Sequence, residues 1–88
     1  MNMMKRKYKV GIQILSTLIK SKATSIKEYI GCCYAYRGFG YAAIENHVKA
    51  VRDFSAASKL MELDKATLYN RYISEGILAV NRESYKKA

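Results

Sequence analysis

Proline is absent from this 88-residue chain, and acidic residues are few, seven against sixteen lysines and arginines. Without proline nothing locks φ or removes a backbone donor inside an element, so long uninterrupted helices are favoured over a loop-rich fold. Cysteine occurs only as the adjacent pair Cys32-Cys33, which cannot close a long-loop disulfide framework. No Cys-x-x-Cys is present, and the one histidine, His47, stands at no metal-ligand spacing from either cysteine. These absences leave no metal centre and no cofactor to expect. They also favour a reducing, intracellular setting, with both cysteines as small helix-packing residues.

Long apolar runs are missing as well. The longest, Val10–Ile19, covers ten residues and contains Gln13, Ser16 and Thr17. A membrane span needs about 20 apolar residues, so none is expected. The lysine-rich lead and apolar centre share features of a secretory signal, but Lys20 and Lys22 fall where a small-residue cleavage site belongs. A mitochondrial presequence is also basic and acid-free, though usually richer in arginine.

What is present is apolar and helical in pattern. Half of the residues are hydrophobic, enough for a modest core in a single ordered domain. The net charge of +9 is unevenly placed. Residues 1–27 carry seven basic groups and no acid, whereas the rest of the chain balances to +2. The cluster Lys5, Arg6, Lys7 and Lys9 is therefore a candidate docking patch for RNA, a ribosome, an acidic protein or an anionic lipid surface.

Ile12, Leu15 and Ile19 fall on one helical face, extended by Tyr8 and widened by Val10, Ile14 and Leu18, which predicts a first helix from about Lys7 to Lys22. Ala23 and Thr24 break that pattern. Ser25 and Glu28 read as a capping box opening a second helix that reaches about Ile44. Asn46 caps a third to about Leu63, Asp64 a fourth to about Val80, and Asn81 begins a fifth. The expected fold is all-α, four to five helices in antiparallel hairpins. A basic amphipathic segment occupies residues 1–24 and a hairpin domain residues 25–88.

Tyr34, Gly38, Tyr41, Ala50, Phe54 and Ala57 stand at the positions of one helix–turn–helix repeat unit. By this spacing residues 31–64 resemble a tetratricopeptide repeat, with Gly38 and Ala50 at the close helix contact and Tyr41 and Phe54 filling beside it. Arg37 replaces a common leucine, and Glu62 stands where a proline usually ends the repeat. A partial second copy over 69–88 aligns Tyr72 with Tyr34, Gly76 with Gly38 and Ala88 with Ala50. Its register is four residues too long, which a third helix extended by one turn would explain.

The resemblance implies a protein-interaction module without catalysis, an accessory or assembly subunit working with other protein subunits. In that geometry Phe39, Ala42, Ala43, Ile73, Ile77 and Val80 line an apolar groove that suits a partner helix, or the chain's own first helix. The alternative is a basic helical protein docked on nucleic acid or a ribosome through its N-terminal segment. An enzyme is not expected. Asp53 or Cys33 can be paired with His47 only on paper, and Arg37–Tyr41 (R-G-F-G-Y) lies within a predicted helix rather than after a strand, so it is no phosphate loop.

Overall fold

The computed structural model describes residues 3–22 and 24–87, with side chains over 4–22 and 24–82. Four helices fill it: α1 Met3–Ser21, α2 Lys27–Ala43, α3 His47–Leu60 and α4 Lys65–Lys87. The all-α expectation holds, and the described elements number four. No break occurs at Asn81, because nothing in Asn81-Arg82-Glu83 stops a helix and α4 runs straight through it. The expected fifth helix is thus the last part of the fourth.

Local chemistry accounts for most of the other ends. Asn46 caps α3, its side chain accepting from the Lys49 amide at 3.3 Å. Asp64 caps α4, with Oδ1 accepting from the Thr67 amide at 2.8 Å. The expected Ser25–Glu28 capping box does not form. Instead the Thr24 hydroxyl accepts from the Ile26 amide at 3.1 Å, and Ile26 takes the N-cap position with no side-chain cap. Helix α3 ends at Leu60 rather than Leu63, since Met61 is extended and Leu63 turns inward to be buried. The additional residues of the longer register therefore lie in the α3–α4 connection, not in an extended helix. Ala23 and Ala88, which the sequence reading used, lie outside the described residues.

Helix α2 is the centre of the fold, packed on α3, on α1 and, more lightly, on α4, which rests mainly on α3. Where α2 meets α3, the core consists of Ala35, Ala50, Phe54, Ala57 and Leu63, with Tyr34 and Leu68 packed beside it. Phe54 has no exposed surface, and burying a side chain of this size contributes about 1.5–3 kcal/mol. Where α1 meets α2, Ile12 lies over Gly40 so closely that a methyl group there would stand 2.8 Å from Ile12 Cγ1. Glycine at this position lets the helices approach.

Arg37 ties three helices together. Its Nε and Nη2 donate to Asp53 Oδ2 and Oδ1, both at 2.8 Å, while Nη1 donates to Ser16 Oγ at 3.1 Å. The guanidinium also lies 5.4 Å from the Tyr34 ring centre and 5.9 Å from that of Tyr41. The hydrogen bonds to Asp53 raise its pKa above the ordinary arginine value, so it stays charged.

One expectation about α1 is corrected. Ile12, Leu15 and Ile19 are half-buried, but Val10, Ile14 and Leu18 do not widen that buried stripe. They are 50%, 57% and 43% exposed. At 100° per residue they lie across the helix from Ile12 and Ser16, although Leu18 still borders a hollow shared with Ile30 and Cys33 of α2.

Candidate protein-interaction surface

Two hollows meet on α2 at Tyr36 and Phe39. The larger, about 220 Å³, lies between α1 and α2 and is walled by Lys7, Tyr8, Gly11, Ile12, Leu15 and Gly40. The smaller, about 110 Å³, opens beside the α3–α4 connection and is walled by Cys32, Ala35, Met61, Asp64 and Thr67. Both fall below the few hundred Å³ of a small-molecule pocket, so they suit single inserted side chains better than a whole ligand. Phe39 forms the ridge between them. Its ring meets Phe54 edge to face, with centroids 5.4 Å apart, and lies 6.5 Å from Tyr36.

The residues expected to share one groove are divided between surfaces. Phe39 lies between the two hollows, and neither hollow is lined by Ala42, Ala43, Ile73, Ile77 or Val80. Ala42 is half-buried and Ala43 exposed near the end of α2. On α4 the half-buried Ile77 borders the packed face. Ile73 and Val80 turn outward. The first helix supplies a wall of Phe39's hollow and leaves it open.

The outward side of α4 carries a surface whose Ile73 and Val80 were expected in the groove and whose Tyr72 and Gly76 were expected to pack as repeat positions. Tyr69, Ile73, Gly76 and Val80 follow one another at four-, three- and four-residue steps, and Tyr72 lies beside them. Tyr69, Tyr72 and Val80 are each more than 60% exposed, and Ile73 is 42% exposed. No charge interrupts this face. Arg71 and Glu75, the charged residues of the same stretch, pair with each other at 2.9 Å on another side of the helix. Tyr72 and Gly76 therefore differ in environment from Tyr34, which packs on the core, and from Gly38, which is buried against Phe54. Among the described residues, and apart from its chain neighbours and the backbone of α4 itself, none comes within 4 Å of where a Gly76 side chain would begin. The usable sequence signal was the charge-free spacing from Tyr69 to Val80, hidden because it coincides with the repeat register.

The basic residues Lys5, Arg6, Lys7 and Lys9 are all exposed on α1. The polar pairs drawn on paper are separated: Asp53 binds Arg37, and His47 Nδ1 is hydrogen-bonded with Ser74 Oγ at 3.0 Å, joining α3 to α4. Ser74 is 1% exposed. Cys32 Sγ lies 3.8 Å from Met61 Sδ, while Cys33 lines a separate hollow with Leu18, Ile19 and Ile30. Among the described residues no three His, Cys, Asp or Glu side chains are grouped to hold a metal ion, and no helix is long and apolar enough to cross a membrane. No protein-family model, curated protein or solved structure matches the chain.

Proposed function

We propose that this chain is a non-catalytic protein-interaction module, an accessory subunit that packs a helix of another protein subunit against α4. The observation that carries this reading is the exposed, charge-free face Tyr69–Tyr72–Ile73–Gly76–Val80. Apolar anchors one turn apart are the way a helix surface grips a second helix, and tyrosine is enriched at such contacts. Gly76 belongs to the same argument. A glycine in mid-helix costs about 1 kcal/mol relative to alanine, and among the described residues no other element packs on it. A partner backbone approaching there would use the space.

The resemblance to the tetratricopeptide repeat agrees with this. In stacked helical repeats an outermost helix that ends the stack presents a polar outer face. The face of α4 is apolar instead, as suits a helix on which something stacks. The two hollows at Phe39 offer secondary sockets on the other side of the fold.

The test is affinity capture from the native lysate with the whole chain and with the variants Tyr72→Asp and Val80→Asp. Both positions are more than 60% exposed, so the variants should fold. A defined set of proteins held by the parent chain, lost by both variants and kept by Arg82→Ala supports the reading. The same proteins recovered on all four baits would remove α4 as the contact. Phe39→Asp is less informative, because Phe39 packs on Phe54 and its loss would mix stability with binding.

A further inference from the structure

We propose that α1 lies on anionic lipid bilayers through its outward face, with Val10, Ile14 and Leu18 entering the headgroup boundary and Arg6, Lys7 and Lys22 meeting lipid phosphates. This is a second surface, and it does not rest on the reading of α4. Val10 and Ile14 lie across the helix from Ile12, while Leu18 and Lys22 border the hollow with Ile30 and Cys33, and Lys7 the one with Tyr36 and Phe39, at the edges of α2.

Three observations converge on it. First, Val10, Ile14 and Leu18 form a straight aliphatic line at four-residue steps, and each is at least 43% exposed. Second, the line is bracketed by cations. Arg6 and Lys7 stand one turn before Val10, and Lys22 one turn after Leu18, so both ends of the stripe carry positive heads on long flexible stems. Third, no acidic residue precedes Glu28, and none of these three cations forms an ion pair with another described residue. The helix spans 19 residues, about 28 Å, and lies along a surface rather than through it.

The apolar line decides between anionic partners. Nucleic acid would neutralise the lysines and arginine but leave three aliphatic side chains in water, and base stacking calls for aromatic residues, which this face lacks. A bilayer of anionic lipid satisfies both features at once: basic side chains gain from the negative surface potential, and aliphatic ones reach the acyl boundary.

The experiment is co-sedimentation of the full chain with vesicles of pure phosphatidylcholine, and with vesicles of equal parts phosphatidylcholine and phosphatidylserine. Binding is expected to the mixed vesicles only and to weaken as salt is added. The triple variant Arg6→Gln, Lys7→Gln, Lys22→Gln is expected to lose affinity on the order of a hundredfold. Ile14→Ser should lose about tenfold. Because the chain has no tryptophan, Ile14→Trp provides a lone reporter whose emission should shift to the blue on mixed vesicles. Circular dichroism checks that each variant folds.

Absence of binding to mixed vesicles overturns the proposal. So does binding that Ile14→Ser leaves unchanged with no blue shift at position 14, which would be charge attraction without insertion. Binding of the parent chain to single-stranded RNA but not to vesicles would assign the basic patch to nucleic acid, and binding only to an acidic protein would assign it to a protein contact. Either result removes the lipid.

Discussion

Phe54 lays its ring directly against the backbone of Gly38. A methyl group added at Gly38 would stand 2.8 Å from Phe54 Cε1 and 2.9 Å from Cδ1, inside any real carbon contact. Phe39 closes the other side of that ring edge to face. An aromatic ring cannot swing aside as a long aliphatic chain can, so the helix separation at α2–α3 depends on this glycine.

The first prediction contrasts two glycines of the same chain. Gly38→Ala should destabilise by about 1–3 kcal/mol, the cost of forcing a methyl group into a packed core. Gly76→Ala should stabilise by about 0.5–1 kcal/mol, because the methyl meets open space and alanine favours the helix. Urea denaturation of both variants checks the pair. Equal effects at the two sites would mean that Phe54 does not press on Gly38.

How much of this was legible in the sequence depends on how local each signal is. The caps at Asn46 and Asp64 could be read because one side chain and one nearby amide decide them. Ser25 has the right chemistry too, but Thr24 one residue earlier takes the Ile26 amide, and local competition of this kind is invisible to a motif. Asn81 carries a cap signal with no stop signal before it, so α4 continues. The burial of Leu63 and the exposure of Val10, Ile14 and Leu18 depend on which helices are neighbours, which periodicity does not state. Arg37 stood out as a charge in place of a common leucine, and Asp53 only as a partner for His47 on paper. That they carry opposite signs on facing helices was the unused clue to their pairing.

Glu45 gives a second prediction. It adopts φ 66°, the left-handed conformation, while its amide donates to Ala42 O at 3.0 Å and the Asn46 amide donates to Tyr41 O at 2.8 Å. This is the paired hydrogen-bond pattern of a helix end that normally uses glycine. Left-handed backbone costs a residue with a Cβ about 1–2 kcal/mol, part of which is returned by the greater freedom of glycine when unfolded. Glu45→Gly should therefore stabilise by about 0.5–1 kcal/mol and Glu45→Val should destabilise. A lower midpoint for the glycine variant in chemical denaturation would count against a strained end at α2.

Asp64 links stability to pH. Its hydrogen bond with the Thr67 side chain, and then with the Thr67 amide, holds its pKa below the ordinary value of 3.8. The folded chain thus binds this proton less readily than the unfolded chain. The resulting stabilisation is present above 3.8 and disappears as pH falls through the lowered folded value. Asp64→Ala should have a lower Tm than the parent chain at neutral pH, and the gap should close in that acid range. A gap that stays constant as pH falls would show that the cap does not act through its charge.

The pair Arg37–Asp53 supports the sharpest prediction, because its two members are buried unequally. The Asp53 side chain is 4% exposed and that of Arg37 19%. Removing either leaves the other charge with little water to replace its partner, which typically costs about 3–5 kcal/mol. Arg37→Met should fall at the upper end, since it strands the more buried carboxylate. Asp53→Ala should fall at the lower end, since Arg37 keeps Ser16 and the faces of Tyr34 and Tyr41. Arg37→Lys should also lose stability, because an ammonium cannot span both carboxylate oxygens as the guanidinium does. The combination Arg37→Met with Asp53→Leu removes both charges and fills similar volume, so it should cost less than either single change. A double-mutant cycle in urea, with Arg37→Met, Asp53→Leu and their combination, measures this directly. Losses that simply add would mean that the two charges stabilise the fold separately, and that the bidentate contact between α2 and α3 contributes nothing of its own.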